Sequence, residues 1–136
     1  MALFTIFDIA GSSMSAQSVR LNTTASNLAN AGNVASTPED AYRGKHPVFQ
    51  TLLRDAMNSS SAGVSVRNII ESDVPPARLY EPGHPMANED GYIYMSNVNS
   101  MDEMIELISA SRSYQNSVEV LNTSKQLMLR TLNVGR

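Results

Sequence analysis

Two histidines, a group of carboxylates near the start of the last third, and many hydroxyls are the side chains in this 136-residue sequence that could do chemistry. His46 and His84 are far apart, and each stands beside a proline. Neither has a helix-spaced ligand or acid–base partner, so both are read as loop residues. Asp102, Glu103 and Glu106 form a carboxylate cluster, but a helix start accounts for all three, because acids there meet the positive end of the helix dipole. The serines lack a His–Asp set or a G-x-S-x-G elbow, and the glycines form no phosphate cradle. With no cysteine, thiolate metal sites, disulfides and cysteine nucleophiles are excluded. No catalytic, cofactor or metal site is expected, and the chain is not read as an enzyme.

Composition points the same way. The large core formers are 11 Leu, 7 Ile, 10 Val and 3 Phe, few for a self-sufficient domain, while a net charge of -3 is too small to expand the chain. Ten Lys+Arg against 13 Asp+Glu offer no basic field for nucleic acid. No apolar run approaches the roughly 20 residues of a membrane span. The apolar start lacks a basic region and is interrupted by Asp8, so no cleaved secretory signal is expected. A core-poor protein that leans on neighbours is the reading.

All six prolines fall between Pro38 and Pro85, so only the flanking arms can be long helices. This predicts an N-terminal helix in 1–36, a β/loop middle in 37–98 and a C-terminal helix in 99–136. The fold class is mainly α with a small β-rich part: two long terminal helices pairing as an antiparallel coiled coil, and a β-hairpin/loop middle segment. Strands are expected over 48–53, 64–70 and 91–95, with turn residues over 58–63 and 81–85.

In the first arm Leu3, Phe7, Ala10, Met14, Gln17, Leu21, Thr24, Leu28 and Ala31 step by alternate 4 and 3, as a helix-pairing seam does. The first 35 residues carry only two charges, Asp8 and Arg20. Their polar face is instead Ser, Thr and Asn, which hydrogen-bond across an interface without the desolvation cost of charge. This helix is therefore read as buried all round, by other chains as well as by its partner. The second arm opens with Ser100-Met101-Asp102-Glu103, read as a capping box. Its seam is read as Met104, Ser111, Val118, Lys125 and Leu132 alternating with Leu107, Tyr114, Leu121 and Met128, with Ile108 and Leu129 widening it. Gly135 is the expected stop.

The run Leu21-Asn22-Thr23-Thr24-Ala25-Ser26-Asn27-Leu28-Ala29-Asn30-Ala31 resembles the N-terminal signature of bacterial flagellar rod and hook axial proteins. The segments 6–12, 80–87 with Gly91-Tyr92, 109–116 and 118–123 extend that resemblance along nearly the whole chain, toward the proximal rod. The resemblance implies a structural subunit exported unfolded by the flagellar type III apparatus. It implies helical assembly into a torque-transmitting shaft and export channel across the periplasm. The implied neighbours are further copies of the chain, FlgB, FlgF, FlgG and the junction protein FliE, with no cofactor. Leu21, Asn22, Asn27, Leu28, Asn30, Met104, Leu107, Tyr114, Gln115, Val118, Leu121 and Met128 are the expected subunit contacts. The alternative is a cytoplasmic coiled-coil adaptor or secretion chaperone; a chaperone would be a compact dimer with charged exterior helices, and the uncharged first arm speaks against it.

Overall fold

The proline-free arms become helices of very unequal surroundings. The computed structural model describes residues 2–53 and 62–134. In it α1 spans Ala2–Asn30 and α2 spans Ser100–Val134, roughly 43 and 52 Å at ~1.5 Å per residue. Ser13 meets Ser117, Arg20 meets Glu106 and Asn27 meets Glu103. Rising positions on α1 thus meet falling positions on α2, and the helices run in opposite directions.

Between them lie five strands: β1 (Val34–Ala35), β2 (Lys45–Leu53), β3 (Ala62–Glu71), β4 (Ala77–Tyr80) and β5 (Tyr92–Met95). β2 and β3 form an antiparallel ribbon with a register shift between Val48 and Phe49. β5 is the middle strand of a second sheet, with β1 on one side and β4 on the other, both antiparallel. The sequence reading missed β1 and β4. At two and four residues they are too short to carry an alternating pattern, and only their bonds to β5 make them strands. The expected turn over 58–63 lies outside the described residues up to 61, as does the stop at Gly135.

The turn before β5 needs its glycine. Gly91 has φ 79°, and a Cβ there would stand 2.9 Å from the Tyr80 ring. His46 departs from the loop reading, being an exposed residue of β2 opposite Ile70. His84 does sit in the turn, where its Nδ1 accepts the Met86 N–H at 3.1 Å.

The ribbon lies along α1, with Lys45 at Asn27 and Gly63–Val64 at Ser12. Ser12, Ala16, Val19, Thr23 and Asn27 share one face by their spacing, and Ala16, Thr23 and Asn27 are buried. Part of the neutral face, at Ser12, Thr23 and Asn27, therefore lies against this chain's own ribbon, while Ser15, Ser18, Asn22 and Ser26 stay exposed. Small side chains permit that approach. Ile93 and the alanines 10, 16, 35, 41 and 110 are the buried apolar residues among those described.

The α2 seam is one residue off the expected register in one of its two rows. Glu103, Ala110 and Ser124 are buried and Ser117 half-buried, while Leu107, Tyr114, Leu121 and Met128 alternate with them as expected. Met104 is 51% exposed, and Lys125, Ile108, Leu129 and Leu132 are exposed too. Helices that touch along Ala and Ser come closer than large side chains allow, so the bulky neighbours are turned outward.

The α2 cap is also shifted. Asn99 Oδ1 accepts the Met101 N–H at 3.1 Å, and Asn99 Nδ2 donates to Asp102 at 2.8 Å. Asn99, not Ser100, is the capping residue, which frees Glu103 from reaching back and turns it into the seam.

Candidate subunit-contact site

The three carboxylates at the head of α2 do not converge. Asp102 holds Asn99, Glu103 holds Asn27, and Glu106 takes the Arg20 guanidinium in an ion pair, with the Arg20 Nε at 2.9 Å. Each is spent on a structural partner. Among the described residues no group of three His, Asp or Glu could hold a metal ion. The arrangement positions helices.

Asn27 is the most completely used of the expected contact residues. Its Oδ1 accepts the Lys45 N–H at 2.8 Å and the Tyr42 hydroxyl at 3.0 Å. Its Nδ2 donates to the Lys45 carbonyl at 2.8 Å and to Glu103 Oε1 at 3.1 Å. Two donors and two acceptor sites are all filled within the chain. Within the chain, then, Asn27 is an internal junction. Asn30 bonds locally at the surface, donating to the Ser26 carbonyl at 2.8 Å and accepting from Asn33 at 2.7 Å, which closes the end of α1.

Leu21, Leu28, Leu107, Tyr114, Val118, Leu121 and Met128 are half-buried, in keeping with positions on or beside the seam. Asn22, Met104 and Gln115 are exposed and available to something outside the chain. Sequence reading did not single out Tyr42, Lys45 and Asn97. Asn97 accepts the Gly44 N–H at 2.7 Å and donates to the Val74 carbonyl at 2.6 Å, tying the approach to α2 to the base of the ribbon. No local pattern marks these residues, since their bonds run to partners distant in sequence.

Two kinds of surface are left open. Gly11, Ser15, Ser18, Asn22, Ala25 and Ala29 step by alternate 4 and 3 along α1, and all are exposed and uncharged. Neither α2 nor the ribbon covers this stripe. Elsewhere apolar side chains stand in the open: Phe4 (65% exposed) near the start of α1, and Met101, Met104, Ile105 and Ile108 on the first turns of α2. Ile6, Ile9 and Val120 line a groove of about 270 Å³ between the helices. Exposed apolar area on this scale marks surfaces that are covered in use.

Comparison with known proteins gives these surfaces a context. Residues 7–34 match the family described as "Flagella basal body rod protein". Residues 89–134 match "Flagellar basal body rod FlgEFG protein C-terminal". The chain is 52% identical to the flagellar basal-body rod protein FlgC of Escherichia coli O6:H1, over the whole of both chains. It is 51% identical to FlgC of Salmonella typhimurium, again end to end. At 33% identity the likeness to FlgC of Buchnera aphidicola from Baizongia pistaciae still covers all of both chains.

Proposed function

The chain belongs to the FlgC family of flagellar basal-body rod proteins, and on that premise we propose that it forms the proximal rod by helical assembly. It is a structural component of the flagellar basal body, as its relatives are. In the proposed assembly α1 and α2 act as one antiparallel coiled-coil unit, and units stack side by side into a tube. That tube transmits torque across the periplasm and encloses the export channel. Its neighbours are copies of itself, FlgB, FlgF, FlgG and the junction protein FliE, and the chain reaches them through the flagellar type III export apparatus.

The observation that carries this reading is the uncharged stripe of α1. A helix face meant for water carries charge, and this one, from Gly11 to Ala29, has none while staying exposed in the single chain. Small neutral residues let a second helix approach closely. Exposed Met101, Met104, Ile105 and Ile108 supply further apolar area for neighbours.

The test is fractionation followed by imaging. The chain should co-purify with detergent-resistant basal bodies, and a density map of those particles should place α1 and α2 in the rod wall. Recovery only in the soluble cytoplasmic fraction would instead favour the adaptor or chaperone reading.

A further inference from the structure

Asn27 is 1% exposed, the largest side chain so fully enclosed among the described residues. Three separate pieces of the chain meet on its amide: α1, which carries it, the segment 42–45 leading into β2, and the first turn of α2. The Lys45 bonds have a specific form. Asn27 takes both the N–H and the carbonyl of one residue, as a neighbouring strand would. The amide therefore terminates the β2 edge where the ribbon leaves α1.

The fourth bond links this edge to the helix seam. Glu103 is 7% exposed, and among the described residues Asn27 Nδ2 is the one side-chain donor on its carboxylate. Arg20 is engaged one turn on, at Glu106. An ionised carboxylate only accepts, so it needs the N–H face of the amide. The Lys45 N–H can only donate, so it needs the carbonyl face, where the Tyr42 hydroxyl donates as well. The two sides fix the amide in one orientation. With the amide turned over, its oxygen would face Glu103 and the Lys45 carbonyl, and its N–H groups would face the Lys45 N–H.

We infer that Asn27 is a catch that makes closure of the α1–α2 seam depend on docking of the 42–45 segment. When Tyr42 and Lys45 seat on the carbonyl face, the amide is held with an N–H toward Glu103, and the buried carboxylate is satisfied. When they leave, the amide is free to turn and Glu103 loses its donor. The coupling is reciprocal by linkage, so loosening Glu103 must also loosen the 42–45 segment. This dependence concerns how the subunit closes and stands whether or not the rod-assembly reading holds.

Hydrogen exchange on the full chain reads the dependence directly, because protection scales with the closing equilibrium. Asn27→Ala should lower protection at the α2 amides of 107–117 and at Lys45 together, by about tenfold or more. Tyr42→Phe removes one hydroxyl that bonds Ser26 and Asn27 and none of α2. It should still lower α2 protection in the Asn27 chain, and it should have no further effect in the Asn27→Ala chain. Glu103→Gln keeps an acceptor and should preserve protection at both places, whereas Glu103→Ala should lower both. If Tyr42→Phe leaves α2 unchanged, or acts equally with and without Asn27, the catch does not exist. Gln as damaging as Ala at position 103 would overturn it as well, as would an α2 without protection in the unaltered chain.

Discussion

An amide suits the centre of this junction because it carries donors and acceptors on opposite sides in one plane. A carboxylate at position 27 could still accept from Lys45 N–H and the Tyr42 hydroxyl. Its second oxygen would face the Lys45 carbonyl and the Glu103 carboxylate, which now receive Asn27 N–H groups. Arg20 is taken by Glu106, and the Lys45 amine lies 3.8 Å from Glu71. Asn27→Asp should therefore destabilise the single chain by roughly 3–5 kcal/mol, the cost of an unpaired buried charge. Urea unfolding of the purified chain measures it, and a change under 1 kcal/mol would contradict the junction. The sequence already set the asparagines of α1 apart as hydrogen-bonding residues in a helix almost without charge. It did not reveal the recipients, because a backbone N–H and carbonyl at Lys45 leave no trace in residue types.

At the level of elements, sequence pattern found both helices and the ribbon because each rests on a local rule. Proline keeps long helices out of 38–85, and turn residues set off the strand-like segments 48–53 and 64–70. The seam register of α2 was half legible. Leu107, Tyr114, Leu121 and Met128 stand out as large apolar residues, but Ala110, Ser117 and Ser124 do not, and Met104 beside them draws the eye. Ala110 is 0% exposed. Ala110→Leu should force the helices apart and cost about 1–3 kcal/mol in thermal unfolding, while Met104→Ala should change the single chain by no more than about 0.5 kcal/mol. The cap shows a similar ambiguity, since Asn99 and Ser100 are both good capping types and only the bonds decide. Asn99→Ala should lower stability by about 1 kcal/mol, and Ser100→Ala should be near neutral. The reverse order in a melting experiment would restore Ser100 as the cap.

Seen whole, the subunit is a pair of long helices braced by a ribbon on one side of α1, with a neutral stripe left open on another. The brace covers part of the α1 face that was read as buried all round, at Ser12, Ala16, Thr23 and Asn27. It also sharpens where other chains would sit, since Asn27 is consumed inside and the open positions are Gly11, Ser15, Ser18, Asn22, Ala25 and Ala29. Ala25→Glu tests that surface without disturbing the fold. Position 25 is exposed and lies inside α1 before its last turn, and glutamate is a good helix former, so the single chain should keep its stability within about 0.5 kcal/mol. In the assembled rod the same carboxylate would meet a close-packed neighbour with no partner supplied by α1, whose one basic residue, Arg20, is already bound to Glu106. An unpaired charge in such a contact should cost several kcal/mol, on the order of 3–5, at every subunit. Repeated around a helix of copies, that cost should stop assembly rather than slow it. Cells carrying Ala25→Glu should therefore make a stable subunit, lack completed rods in electron micrographs of basal bodies, and fail to swim. Normal rods and swimming in that strain would mean that water covers the stripe, and the contacts between subunits would have to be sought on the apolar face of α2 instead.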